Sequence, residues 1–180
     1  MRVNPHYYIL CIDNFDGEYY LDNIDINKLS ESKKSKLRSS KIGIVLQDFA
    51  LIDDFTVFEN VMTPLYFNKK IKDKKGSVMR ALKKTGIASL KSKKVSQLSG
   101  GQKQRVAISR ALVTNPEYIF ADEPTGSLDS KTSEEIVKML FDLNRNGITI
   151  IIVTHNLDIA NKCQRVIEIK DGNIIEDNCS

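Results

Sequence analysis

Apolar positions recur along the chain with two different periods, and the switches between them predict the order of elements. Glu18 to Asp22 (Glu-Tyr-Tyr-Leu-Asp) reads as a short strand, Ser30 to Ser40 as a basic helix, and Lys41 to Leu46, rich in branched residues, as a second strand. Thr56 and Glu59 then have the spacing of a capping box, and Phe58, Val61, Met62 and Leu65 recur at i, i+3, i+4 and i+7, so a helix starts there. A second helical stretch carries Val78, Ala81 and Leu82 on one stripe, and a third runs from Ser99 to about Thr114 with Ile108, Ala111 and Leu112 on one side. From Tyr118 the pattern alternates. An apolar run ends at Ala121, a helix spans about Ser130 to Asn144, a strand follows from Ile148 to Thr154, and a short helix precedes strands near Val166–Ile169 and Asn173–Glu176. Strand, helix, strand at this spacing predicts an α/β layer with a parallel sheet. Residues 1–47 and 115–180 are assigned to that layer, with a mostly helical subdomain, 48–114, inserted between its halves.

Composition narrows the class without naming a function. A chain of 180 residues, 41% hydrophobic and 28% charged, suits one folded domain with an inserted subdomain and excludes a disordered chain or a disulfide scaffold. Cys11, Cys163 and Cys179 show no Cys-x-x-Cys spacing, so reduced, inert thiols are expected. The run Ile148–Val153 is far too short to span a bilayer. The apolar stretch Tyr7–Ile12 is ended by Asp13 with no small-residue cleavage site, so no leader is expected and cytoplasmic residence is the reading. Net charge is only +4, but Lys69 to Lys94 holds ten lysines and Arg80 against Asp73 alone. Such a segment is either a solvated face of a lysine-rich protein or ground for phosphates or an anionic membrane surface.

Chemistry concentrates in a few strings. In Leu98-Ser99-Gly100-Gly101-Gln102, two glycines precede a helix whose unpaired N–H groups, with Ser99 beside them, suit an anion such as a phosphate. Ser99 and Gln102 also have capping-box spacing, although a capping box needs neither glycine. The run Tyr118–Ala121 ends in Asp122-Glu123-Pro124, where one carboxylate can hold Mg²⁺ and the other can orient or deprotonate a water, unless the pair is a plain acidic exit from a strand. His155 follows its strand in the same way and could meet a phosphate as charge develops, or serve as an ordinary loop residue. Gln47 ends the strand Lys41–Leu46 with an amide able to reach a metal or a water. Asp129 has the position of a helix N-cap.

Together, Gln47, Leu98 to Gln102, Asp122-Glu123, Ser127-Leu128-Asp129 and His155 resemble, in order and spacing, the Q-loop, signature, Walker B end, D-loop and switch histidine of the ATP-binding subunits of ABC transporters. Ile42 to Gln47 with Leu51, Thr56-Val57 and Glu59-Asn60-Val61 is similar to the branch serving lipoprotein release, macrolide export and bacteriocin export. The resemblance implies a P-loop NTPase-like parallel sheet and an ATPase using ATP and Mg²⁺. It implies Asp122 and Gln47 at the metal, Glu123 and His155 as catalytic groups, and Gln47 at the terminal phosphate. Ser99, Gly100, Gly101 and Gln102 would then serve a nucleotide held by a second ATPase subunit, with Asp129 in the D-loop. It further implies a separate membrane-spanning permease contacted by the helical subdomain, and a place on the inner face of the cell membrane. The stretch between Gln47 and Ser99 is too short for the long heptad arms of chromosome-structure ATPases, so no nucleic acid is expected as a partner.

A P-loop requires Gly-x-x-x-x-Gly-Lys-Ser/Thr, and none of the nine glycines is followed by lysine. Family spacing would put that lysine at or before Met1, so the sequence is expected to begin just after the P-loop, with an incomplete sheet and Tyr7–Ile12 as the tail of the helix that follows the loop. Loss of about three charge-assisted hydrogen bonds worth roughly 1.5 to 3 kcal/mol each would lower nucleotide affinity by about three to six powers of ten. Two expectations follow: an exporter ATPase that is impaired alone, or a non-hydrolysing partner that donates its signature in trans. An uncovered sheet face or edge would also make the isolated chain marginally stable.

Overall fold

The computed structural model describes residues 17–68 and 70–179. The helix tail expected at Tyr7–Ile12, together with Cys11, lies outside the described residues. Strands β1 (Tyr20–Leu21) and β2 (Ile24–Asp25) form a hairpin whose two turn residues, Asp22 and Asn23, sit at φ 51° and 61°. Asp and Asn tolerate the left-handed region, which is why this pair can close a two-residue turn. Helix α1 (Glu31–Lys41) runs without a linker into β3 (Ile42–Val45). Lys41 marks that junction: its Nζ lies 2.5 Å from Asp22 Oδ2 and 3.0 Å from Glu117 Oε2, and the Tyr118 hydroxyl also donates to Asp22.

Three helices follow: α2 (Val57–Phe67), α3 (Lys74–Lys84) and α4 (Gly100–Leu112). The capping boxes expected at both ends of this region are present. Thr56 Oγ1 accepts from Glu59 N and Glu59 Oε2 accepts from Thr56 N, while Ser99 and Gln102 make the reciprocal pair at α4. Pro64 lies within α2 and cannot donate to the Asn60 carbonyl, which takes the Thr63 hydroxyl instead. Strand β4 (Tyr118–Asp122), helix α5 (Ser130–Arg145), β5 (Thr149–Val153), the short α6 (Leu157–Ala160) and the hairpin β6 (Arg165–Lys170) and β7 (Asn173–Cys179) complete the described chain.

The central sheet has the order β3-β4-β5 and is parallel, with Ile42 opposite Tyr118, Tyr118 opposite Thr149, and Asp122 opposite Val153. One face, carrying Val45, Ile119 and Ala121, is buried in a core shared with Val106, Ala107, Ile108 and Ala111 of α4 and Ile136 and Leu140 of α5. The same core continues through Val57, Val61 and Leu65 of α2 and Val78 and Leu82 of α3, so the helical stretch and the sheet are cemented by one apolar cluster. Contact between α4 and β3 is closest at Gly43, where a Cβ would lie 2.7 Å from the Ala111 carbonyl oxygen. On the opposite face, Ile26 and Ile42 are buried with Leu37, Ile44 and Phe120 packed against them. Cover thins toward β5, whose Ile151 and Val153 are exposed among the described residues. No helix among the described residues is long and apolar enough to cross a membrane.

Candidate functional site

The site grows from the carboxyl ends of β3, β4 and β5, where the parallel strands aim their backbone ends at one edge of the sheet. Asp122 closes β4, half-buried. Glu123 follows in the left-handed region at φ 41°, held there by its N–H donating to Val153 O at 2.8 Å. That turn swings the carboxylate across to the end of β5. His155 N donates to Glu123 Oε1 at 2.8 Å, His155 Nδ1 lies 2.7 Å from the same oxygen, and Thr154 Oγ1 donates to Oε2 at 3.1 Å. The carboxylate sets the tautomer: Nδ1 carries its proton toward Glu123, and Nε2 faces outward. The Glu123 side chain is 17% exposed and that of His155 is 86%, so the acid is sheltered and the imidazole is presented to solvent. The strand register, Asp122 opposite Val153, is what makes residues 32 apart in sequence neighbours.

Gln47 stands exposed in the turn after β3. Its Nε2 lies 3.3 Å, and Glu123 Cβ 3.5 Å, from the point where Gly126 would carry a Cβ, so both side chains flank this glycine. The turn itself is unusual: Phe49 and Ala50 take φ 62° and 45° without being glycine. Arg110, in the last turn of α4, stabilises that strained pair, since its Nη2 donates to Phe49 O at 2.9 Å and its Nη1 donates to Ala50 O. Burial pulls the Arg110 guanidinium below its ordinary value, and Asp48 partly offsets this. Asn60, buried on α2, clamps the next stretch by accepting from Ile52 N at 2.9 Å and donating to Ile52 O at 3.0 Å.

Ser99, Gly100, Gly101 and Gln102 occupy the start of α4, the first two exposed and the last two half-buried, and do not line the cleft that holds Glu123 and His155. That cleft, about 800 Å³, runs from these two side chains between α5 and α6 past Thr125, Gly126, Leu128 and Asn156. The two glycines instead receive the start of α5. A Cβ at Gly100 would lie 3.3 Å from Leu128 Cδ2, and one at Gly101 only 2.4 Å from Thr132 Cγ2. Asp129 is the N-cap of α5, accepting from Thr132 N at 3.0 Å and Thr132 Oγ1 at 2.6 Å. Gln104, buried one turn further along α4, donates to Pro124 O at 2.7 Å and so ties the signature helix to the loop after Glu123. Sequence reading singled out none of Arg110, Gln104 and Thr154. Their roles depend on contacts 20 to 61 residues distant, and no local pattern marks them.

This arrangement can be set beside known proteins. The sequence matches the family described as ABC transporter over residues 12–126. The chain belongs to the ABC transporter family. As an ABC cassette it is 45% identical over 169 residues to the uncharacterized ABC transporter ATP-binding protein YvrO of Bacillus subtilis, covering 93% of this chain and 74% of that one. It is 43% identical over 169 residues to the macrolide export ATP-binding/permease protein MacB of Mannheimia succiniciproducens, but spans only 26% of that longer protein. Among solved structures it superposes on the dimeric post-hydrolysis state of the ATP-binding cassette MJ0796 bound to ADP and Pi, with a TM-score of 0.84 and 39% identity, covering 97% of this chain and 78% of that one. The cassette cbiO1 from Clostridium perfringens, part of the transporter complex cbiONQ, gives 0.85 and 37% over 97% of this chain and 70% of that one. The α/β architecture with its parallel sheet is thus that of ABC ATPase cassettes.

Mg²⁺ is the metal that the resemblance in the sequence implies. No group of three or more His, Cys, Asp or Glu side chains among the described residues forms a protein-only cage. The donors present are the Asp122 carboxylate at the end of β4 and the Gln47 amide beside Gly126. That sparse oxygen set fits Mg²⁺, which keeps several waters and takes one or two protein groups together with substrate phosphates.

Proposed function

We infer that the cassette is the ATP-hydrolysing subunit of an exporter-type ABC transporter, working at the inner face of the membrane with a separate permease and a second ATPase subunit. The observation that carries the reading is the Glu123–His155 pair, fixed at adjacent strand ends with Gln47 across Gly126. Glu123 orients the attacking water and accepts its proton at a carboxylate oxygen. His155, held by Nδ1–H on Glu123, stands with its exposed ring toward the terminal phosphate, to which Nε2 donates when it too carries a proton. Asp122 and Gln47 would hold Mg²⁺, which when bound would neutralise charge on the phosphates. Ser99, Gly100, Gly101 and Gln102, outside the lining of their own cleft, meet the nucleotide of the second subunit, with Asp129 steadying the neighbouring loop. Residues 48–114 form the subdomain that meets the permease, as the permease part within MacB suggests for this branch.

A second reading is favoured by one observation: Ser99–Gln102 stand at the start of α4 outside the cleft that holds Glu123 and His155. On that reading the chain acts by lending Ser99–Gln102 to a partner cassette. Mixing the chain with a related cassette whose own signature is disabled separates the two. Restored hydrolysis that is lost with Ser99→Arg and kept with Glu123→Gln supports donation in trans. Hydrolysis by the chain alone that is abolished by Glu123→Gln supports a self-sufficient ATPase, and no activity in either arm refutes both.

A further inference from the structure

The basic surface is not spread evenly over the helical region. Helix α2 ends in Tyr66 and Phe67, which are 64% and 82% exposed. The next residue, Asn68, is buried and turns the chain back onto α1, with its Nδ2 donating to Ser39 O at 3.4 Å. This contact brings Lys70 beside Lys33 and Lys36 of α1, and the three line one shallow cleft of about 320 Å³ with Ile24, Leu29 and Leu37. Lys33, Lys36 and Lys70 are exposed and carry no ion pair among the described residues. The acids close to them in sequence are engaged elsewhere, Glu31 with Lys34 at 3.0 Å and Asp73 with Arg80 at 3.2 Å. On the other side of the aromatic pair, Lys74 Nζ stands 5.8 Å from the Tyr66 ring centroid.

Single exposed apolar residues need no explanation, but two consecutive aromatics at a helix end, with Lys74 over one ring and the lysine-lined cleft beginning three residues further on, combine two different attractions. Lysines alone would suit any polyanion. Adjacent aromatic rings add nothing to binding a free phosphate, but they suit the boundary between headgroups and acyl chains, where rings insert and ammonium groups meet lipid phosphates. We propose that the surface formed by α1, the end of α2, Asn68 and residues 70–73 docks directly on the anionic headgroup face of a lipid bilayer, with Phe67 and Tyr66 entering the interface and Lys33, Lys36 and Lys70 facing the phosphates. The docking needs no nucleotide and no permease, so it stands or falls separately from the ATPase reading. It gives the cassette a second hold on the membrane besides any protein partner.

The chain contains no tryptophan, so Phe67→Trp makes a single reporter at the centre of the surface. The full 180-residue chain is mixed, without nucleotide, with vesicles of phosphatidylglycerol and phosphatidylcholine or of phosphatidylcholine alone. Expected results are co-sedimentation with the anionic vesicles only, a blue shift and quenching by brominated lipid at position 67, and weakening as salt rises. Lys33→Gln, Lys36→Gln and Lys70→Gln should each lower partitioning about fivefold, and Tyr66→Ser with Phe67→Ser about tenfold. Far-ultraviolet circular dichroism should be unchanged for all of them, since every substituted side chain is exposed. Equal binding to neutral vesicles, no binding to either, or an unshifted reporter overturns the proposal. So does anionic binding that survives the aromatic double variant and is competed by soluble polyphosphate, which would mark a polyanion site.

Discussion

Arg110→Ala tests how the strained turn beside Gln47 is held. The wild-type guanidinium donates to the carbonyls of Phe49 and Ala50, the two non-glycine residues at φ 62° and 45°. Hydrogen bonds from a charged donor are worth about 1.5 to 3 kcal/mol each, and because Ala50 is exposed the lower figure applies, giving about 3 kcal/mol for the pair. Each left-handed residue stores of order 1 kcal/mol, so a released turn recovers about 2 kcal/mol. Global stability should therefore fall by only about 1 to 2 kcal/mol, once the lost packing of the arginine stem is included. In urea that is a midpoint shift of about 0.5 to 1 M. The local effect is larger, because the turn loses the whole clasp. Native-state hydrogen exchange at the Phe49 and Ala50 amides, which donate to Leu46 O at 3.1 Å and Asp48 O at 2.7 Å, should accelerate about a hundredfold. Arg110→Lys should restore charge and stem but only part of the protection, since one ammonium lacks the planar fork. If exchange at these amides is unchanged while the midpoint moves, Arg110 is a packing residue and the clasp argument fails.

Three further outcomes follow from named contacts. Gly43→Ala should cost about 1 to 3 kcal/mol in urea unfolding, because its Cβ would sit 2.7 Å from the Ala111 carbonyl and force α4 off β3; an unaltered midpoint would contradict that fit. Gly101→Ala should destabilise the start of α4 against Thr132, and adding Thr132→Ser, which removes the clashing Cγ2 but keeps a hydroxyl for Asp129, should return most of the loss. Asp22 is held below its ordinary carboxylate value by Lys41 first and the Tyr118 hydroxyl second. A depressed acid stabilises the fold above its unfolded pKa, about 3.9, and that contribution is lost as pH falls through the lower folded value. Asp22→Asn should thus flatten the acid limb of the stability curve below about pH 4, and an identical limb in wild type and variant would refute the linkage.

Much of this architecture was readable because its determinants are local. Thr56 with Glu59, Ser99 with Gln102, and Asp129 announced three helix starts by side chains that bond three residues away. The branched runs of β3, β4 and β5 are short enough to be strands, and their ends located Gln47, Asp122, Glu123 and His155 on one sheet edge. Register was not readable, and with it the direct pairing of Glu123 with His155, because that depends on which residue of β5 stands opposite Asp122. The left-handed turn at Phe49-Ala50 gave no warning either. No glycine or asparagine marks it, and the residue that stabilises it is about 60 positions away. Hairpins were the intermediate case: Asp22-Asn23 and Asp171-Gly172 carry local turn chemistry, yet β1 and β2 are two residues each, too short for periodicity to register.

Helix α4 is held against the rest of the fold along its length: Gly101 packs on Thr132 of α5, Gln104 bonds the loop after Glu123, and Arg110 bonds the turn after Gln47. Thirteen residues make a rod of about 20 Å. A rod fixed in this way cannot answer one motif without disturbing the others. A tilt of about 5° displaces one end by roughly 1.7 Å relative to the other, more than a hydrogen bond tolerates. The helix therefore acts as a crank: a push on the turn after β3 arrives, without any intervening flexible step, at Ser99–Gln102 on the far end of the rod.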